Sequence, residues 1–405
     1  MSDLVLLLLT VPTITAFIGW VTNWAAVKMI FWPRTYVGIG KAGWQGIVYR
    51  QGHKFAVGVA DMVTGNLINT RELVGRLDPD EIATLLAPDL EAMNAELAER
   101  AVDLVQPEAW DRLPEHVRQM VLAQLKAQTP ALTRAIFERL QARADELVDL
   151  HELVTRRLSG DQENSERLAR LTRRIAKNEF DFIVWSGAVI GVIVGLVQIP
   201  VWQWLQIWWT MPIVGALVGL GTNYVAIEMI FRPHEPRRFF GLFRYQGLFP
   251  KRQAAIAADY GDSARREILT PETFVAHVTE EGRLELVTSI VRATLRERLE
   301  AEWTKVKAMA PGVAVTPAMI DRVADLAVAR LAALVPAVRP RFDAYLEEKL
   351  DVARTVETRL ANLGKPEFER VIRGIFEEDE LTLVLVGGFL GAAVGFAQAA
   401  LVVTI

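Results

Sequence analysis

Charged residues are scarce in three long stretches of this chain. The first apolar stretch runs from Leu4 to Trp32, interrupted by Thr22, Asn23 and Lys28. The second runs from Phe182 to Phe231, about twice the ~20 residues that one spanning helix needs. The third, Leu381 to Ile405, carries no charge. The middle stretch has to fold back on itself, and Ile199–Pro200 is the expected turn. Trp202, Trp204, Trp208 and Trp209 follow it at the density of an interfacial aromatic belt. The pattern predicts an all-α membrane protein with four transmembrane helices: one in 1–33, two in 181–233 and one in 381–405. The N-terminal run does not read as a cleavable signal peptide, since it lacks a basic leader and stays apolar past any cleavage site.

Two polar inserts of equal length, 34–180 and 234–380, separate these stretches. Both read as helices. Leu132, Ile136, Leu140, Leu147, Leu150 and Val154 follow helical spacing, as do Phe342, Leu346, Leu350, Ala353, Val356 and Leu360. Asp78-Pro79-Asp80-Glu81, Thr270-Pro271 and Thr316-Pro317 place a capping side chain before a proline at the first helical position. Only 36–49 and 239–249 carry strand signals, as short hairpins or membrane-surface loops. The apolar stripes fit two uses: packing of helix on helix, within or between chains, or a surface that lies on lipid or cradles acyl chains.

The two halves resemble each other. Residues 22–33 read TNWAAVKMIFWP and residues 222–233 read TNYVAIEMIFRP. Pro12, Gly19, Ala26, Met29 and Phe31 recur 200 positions later, as do Arg173, Gly187, Gly191, Gly195 and Gln198. Identities at one offset over a whole half indicate two tandem repeats of about 200 residues, each a span, a long helical soluble insert and a second span. Two spans per repeat return the chain to its starting side. The repeats are therefore parallel, related by an axis along the membrane normal, with both inserts on one side. Residues 28–54 hold five Lys or Arg and 232–252 hold six, whereas 199–211 holds no charge. The positive-inside rule puts the inserts in the cytoplasm.

Composition agrees with a chain partly in lipid and partly in water: 51% apolar residues and a mean hydropathy of +0.21 beside 23% charged residues. The net charge of −4 gives no sign of nucleic acid binding. The absence of cysteine excludes disulfides, thiol nucleophiles and Cys-bound metals. His53, His116, His151, His234 and His277 are scattered without metal-ligand spacing, and no phosphate-binding glycine loop or nucleophile elbow occurs. No catalytic residue, metal or cofactor is expected, and the protein does not read as an enzyme.

What remains are motifs in the apolar stretches. Gly187, Gly191 and Gly195, with Gly387, Gly391 and Gly395, sit four apart on one helix face, the spacing that lets backbones approach in lipid. Thr22-Asn23 and Thr222-Asn223 need hydrogen-bond partners, because Asn is costly in hydrocarbon. They serve either as interhelical bonds or as a polar or headgroup-binding site. Lys28 and Glu228 are repeat equivalents of opposite sign, which either pair or reach the interface separately. The basic loops 34–54 and 234–252 either set topology or touch anionic headgroups.

The pattern G-x-x-T-N-x-x-A-x-x-M-I-F-x-P, then a Q-G-[IL] loop and a closing G-x-x-x-G-x-x-x-G-x-x-Q helix, resembles domain-of-unknown-function family 445. These are the YheB/YjiN-like bacterial membrane proteins. The resemblance implies a protein of the bacterial cytoplasmic membrane with a helical soluble region, and it implies no activity. The second half departs in Glu228 for Lys28 and Pro250 for Tyr49. Two functions follow as expectations. One is a non-enzymatic membrane scaffold or tether whose inserts self-associate in a homo-oligomer or bind a partner at the membrane surface. The other is a lipid or small-molecule transporter, its site at the repeat interface near the Thr-Asn motifs. Membrane lipids are the expected partners, anionic headgroups among them, and nucleic acid is not.

Overall fold

Four helices among the described residues are long and apolar enough to cross a membrane: Leu8–Phe31, Lys177–Val201, Thr210–Phe231 and Glu380–Ala397. They belong to the longer helices Ser2–Phe31, Lys177–Leu205, Thr210–Phe231 and Glu377–Val403. Each is apolar all round, with Phe17, Trp185, Leu217 and Phe389 pointing away from the protein, as a lipid-facing helix requires. The structure is a computed structural model, and it describes residues 2–40, 42–105, 108–205, 207–239, 243–309, 315–374 and 377–403.

The turn between the second and third spans is not at Ile199–Pro200. The helix continues through Pro200 to Leu205, and the next begins at Thr210. A proline removes a single donor, and apolar helices in membranes tolerate that loss. Trp204, Trp208 and Trp209 are exposed around the turn, and the side chain of Trp202 lies outside the described residues.

The chain divides into two compact units. The first takes Met1–Leu67, Val154–Ile268 and Ala353–Ile405; the second takes Ile68–Leu153 and Leu269–Val352. Each polar insert thus contributes to both. In the first unit, the first span packs along the second and the third along the fourth. Glycines set the approach. A side chain at Gly19 would strike the carbonyl of Gly187, and one at Gly191 the carbonyl of Thr15. Gly219 meets Gly387 and Gly215 meets Gly391 in the same way, and Gly195 and Gly395 abut Pro12 and Pro212. Backbones this close gain dispersion contacts that larger side chains would prevent.

Each of the first and third spans ends at a cis proline peptide, Trp32-Pro33 and Arg232-Pro233. A two-stranded hairpin follows: Val37–Ile39 with Ala42–Trp44, and Arg237–Phe239 with Phe243–Tyr245. Residues 240–242, within the second expected hairpin, lie outside the described ones. The hairpins fold back on the helix ends. Trp44 Nε1 donates to the Met29 carbonyl at 3.4 Å and Tyr245 Oη to the Met229 carbonyl at 2.5 Å. Both satisfy carbonyls of a final helical turn, which lack partners within the helix. Burial pushes the Tyr245 phenol up to about 12, so the hydroxyl remains a donor. A helix and a π-helical turn come next in both places, Gly52–Met62 with Val63–Leu67 and Leu248–Ser263 with Ala264–Ile268.

The second unit is built on four long helices: Pro79–Val105, Glu115–Ala142, Glu281–Met309 and Pro317–Leu350. Three helix starts follow the sequence signals. Asp78 Oδ1 accepts from the Asp80 amide at 2.8 Å, Thr270 Oγ1 from Thr273 at 3.2 Å, and Thr316 Oγ1 from Met319 at 3.3 Å.

The glycine contacts make a signed prediction. Gly187→Ala or Gly387→Ala places a methyl group against backbone and the Asn amide, and should destabilise the protein by about 1–3 kcal/mol. Gly221→Ala, with nothing within 4 Å of the new methyl, should be neutral or stabilising by up to about 1 kcal/mol. Unfolding curves in detergent would check both signs.

Candidate functional site

The repeated Thr-Asn and glycine motifs meet. Asn23 Nδ2 donates to the Ile183 carbonyl at 2.7 Å, and Asn223 Nδ2 to the Leu383 carbonyl at 2.7 Å. The two bonds span the same sequence separation and link the paired spans. Gly187 and Gly387 lie directly against these amides, and a larger residue there would push the Asn away. Thr22 and Thr222 turn back to the carbonyls of Gly19 and Gly219 at 3.1 and 3.3 Å. Asn23 is 0% exposed and Asn223 2%, and the Oδ1 atoms of both are buried without a hydrogen-bond partner. The motif is placed in the contact between spans, with no face open to a ligand.

Lys28 and Glu228 do not pair. Lys28 Nζ lies over the rings of Trp24 and Trp32, at 4.6 and 5.6 Å. Glu228 instead accepts from Arg373 at 2.7 Å, within a cluster at the end of the third span. Arg373 also holds Glu380 through two bonds of 2.9 and 2.8 Å, and Glu369 at 3.2 Å. Arg232 donates to Glu369 at 3.0 Å, and His234 Nε2 pairs with the same carboxylate.

The Glu369 side chain is 6% exposed. Burial alone would raise its pKa, but bonds from His234 and Arg373 and the charge of Arg232 outweigh burial and hold the carboxyl below its usual range. Arg373 is pushed further up, first by its bond to Glu380. A second buried pair, Glu179 with Arg252 at 2.6 Å, ties the start of the second span to helix Leu248–Ser263.

Sequence reasoning missed Glu369, Glu380 and Arg252. Its one available signal was the recurrence of Arg173 as Arg373 beside two spans, where an unneutralised arginine is unexpected.

The second unit forms a half-open cavity of about 430 Å³. The stripe residues Leu132, Ile136, Leu140, Phe342 and Leu346 line it, facing Leu295 and neighbouring apolar side chains. Its few polar groups are engaged. Asn94 donates to Thr129 at 2.7 Å, and Gln141 to the carbonyls of Val74 and Leu77 at 3.1 and 2.6 Å. Asp89 accepts from Arg341 at 2.5 Å, and Arg339 donates to Asp343, outside the cavity lining, at 3.4 Å. Such walls select by shape and apolar contact.

The ion cluster predicts a pH dependence. The folded-state pKa of Glu369 is depressed, so its stabilisation is present above the unfolded carboxylate pKa of about 4.3 and is lost as pH falls through the folded value. Glu369→Gln should cost about 1–3 kcal/mol near neutral pH, and the gap from wild type should close as pH falls toward about 3. Unfolding of both proteins across that range would measure it.

Comparison with known proteins agrees with this architecture. Residues 13–159 match the family described as Protein of unknown function (DUF445). A UPF0754 membrane protein of Geobacillus thermodenitrificans is 42% identical over 84 residues, which cover 18% of this chain and 22% of the relative. One of Geobacillus kaustophilus is 29% identical over 204 residues, 42% of this chain and 50% of the relative. One of Exiguobacterium sibiricum is 32% identical over 98 residues, 24% of each chain. The matched regions span half or less of these relatives. No solved structure matches the chain. With its four apolar helices, this is a membrane protein whose residues 13–159 match the DUF445 family.

Proposed function

We propose that this protein is a non-enzymatic, membrane-anchored binder of lipid tails. Its spans fix it in the bilayer, and its second helical unit shields a single acyl chain from water. The cavity carries this reading. At 430 Å³ it lies in the usual range for ligand sites, roughly 300–1,000 Å³. Protein interiors hold few voids larger than a water molecule. The cavity is half open, so without a ligand its apolar walls stay exposed to water, which is unfavourable. An acyl chain would cover those walls and gain about 0.8 kcal/mol for each methylene buried.

The repeat gives the site its origin. Treated as tandem parallel repeats, the halves each supply two of the long helices around the cavity: Pro79–Val105 and Glu115–Ala142 from the first, Glu281–Met309 and Pro317–Leu350 from the second. The basic loops 34–54 and 234–252 support a cytoplasmic location of the inserts at a bacterial inner membrane. The proposal keeps the lipid alternative read from the sequence and moves its site, because Asn23 and Asn223 are closed off between spans. A scaffold or tether that works by self-association has no comparable observation behind it.

Native mass spectrometry of protein extracted with its own lipids should retain one acyl-bearing molecule per chain. Val291→Phe with Leu331→Phe, which fill the cavity from two helices, should remove it while circular dichroism stays unchanged. Added palmitate at about a hundred times its Kd should stabilise wild type by about 2.7 kcal/mol and the filled variant much less. A defined oligomer that retains no acyl ligand and gains nothing from palmitate would return the scaffold to first place.

A further inference from the structure

The charge clusters at the ends of the first and third spans differ in a directed way. In the second half Arg373 is enclosed by three carboxylates, Glu228, Glu369 and Glu380. At the positions 200 earlier, the arginine is kept as Arg173, and the three carboxylates are replaced by Lys28, Ala169 and Phe180. The arginine itself is placed alike. Arg173 lies over the ring of Phe31 at 4.7 Å, and Arg373 over Phe231 at 5.3 Å. Phe31 and Phe231 are also equivalents. The cation and its aromatic support are common to both halves, and only one half supplies the anions.

Lys28 and Arg173 are both exposed, and no ion pair involves either among the described residues. Lys28 sits between Trp24 and Trp32, two exposed indoles of the kind that settle at headgroup depth. Orientation of the chain does not demand this arrangement, because a basic residue anywhere near a span end serves the positive-inside rule. Exchange of Glu228 for Lys28 does more: it removes an ion-pair partner and puts a second cation on the same last turn of the span, where Arg173 covers Phe31. A guanidinium presents paired donors that match a phosphate, and a lysine adds a point charge.

We infer that Lys28 and Arg173 form a binding site for the phosphate of an anionic phospholipid headgroup, present in the first half and closed in the second by Glu228, Glu369 and Glu380. The inference is independent of the acyl cavity, since it uses residues of the first unit only.

The test is native mass spectrometry of the full chain in detergent, titrated with phosphatidylglycerol, with phosphatidylcholine of the same chains, and with inorganic phosphate. Acyl binding is common to both lipids, so their difference reports the headgroup. Phosphatidylglycerol should bind more tightly than phosphatidylcholine. Lys28→Gln with Arg173→Gln should weaken it by roughly tenfold to thirtyfold, the size expected for losing two basic groups at an anionic surface, and leave phosphatidylcholine unaffected. Arg173→Lys alone, which keeps the charge, should retain most of the preference. Equal affinity for the two lipids, or an unchanged preference in the double Gln variant, would overturn the site. Inorganic phosphate that binds wild type as tightly as phosphatidylglycerol does, and is lost in the same variant, would overturn the lipid as its source.

Discussion

In hydrocarbon, no hydrophobic force draws one helix to another, so spans associate only by close packing and hydrogen bonds. The first unit depends on that constraint. Asn23 and Asn223 each reach a backbone carbonyl of a partner span, and they reach it because Gly187 and Gly387 leave the backbone bare. The glycine and the asparagine are two halves of one contact. A side chain at the glycine would block the approach, and loss of the asparagine would leave close packing alone to hold the spans. The hairpins, folded onto the carbonyl ends of the first and third spans, then seat the soluble elements on helices whose spacing is already set.

On that common frame the halves diverge electrostatically. One end is neutralised by its own side chains, with Glu369 buried among Arg232, His234 and Arg373. The other keeps cations stacked on aromatic rings. The two ends thus differ at three positions, Glu228, Glu369 and Glu380 against Lys28, Ala169 and Phe180. The cavity in the second unit is of a different kind, since its walls are apolar and its polar margin is internally bonded.

Much of this was legible in the sequence. Apolar length marked the four helices, and the capping residues at Asp78, Thr270 and Thr316 marked three helix starts. The strand signal at 36–49 covered the first hairpin, and that at 239–249 took in the second strand of the other but only Phe239 of its first. The turn assigned to Pro200 was misplaced because a proline signal learned from helices in water weighs too heavily in an apolar one. The ion cluster was hidden because its carboxylates come from three separate segments and do not recur in the first half. The stripes through Leu132–Leu140 and Phe342–Leu350 named the cavity walls, but periodicity reports which face is apolar and not how far apart the faces stand.

The interleaving of the two units bears on how the chain is made. The helices Pro79–Val105 and Glu115–Ala142 pack against Pro317–Leu350 and Glu281–Met309 respectively. Arg139 bonds Thr294 at 3.0 Å, and the Tyr345 hydroxyl accepts from the Asp78 amide at 2.8 Å. Those partners are translated only after Val154–Ile268, with its two apolar helices, has been synthesised. The early helices can pack on each other, but the apolar faces that meet the later helices stay open, the kind of exposed intermediate that aggregates or recruits chaperones. Assembly of the four-helix bundle therefore waits on synthesis of the middle of the chain, two apolar helices included.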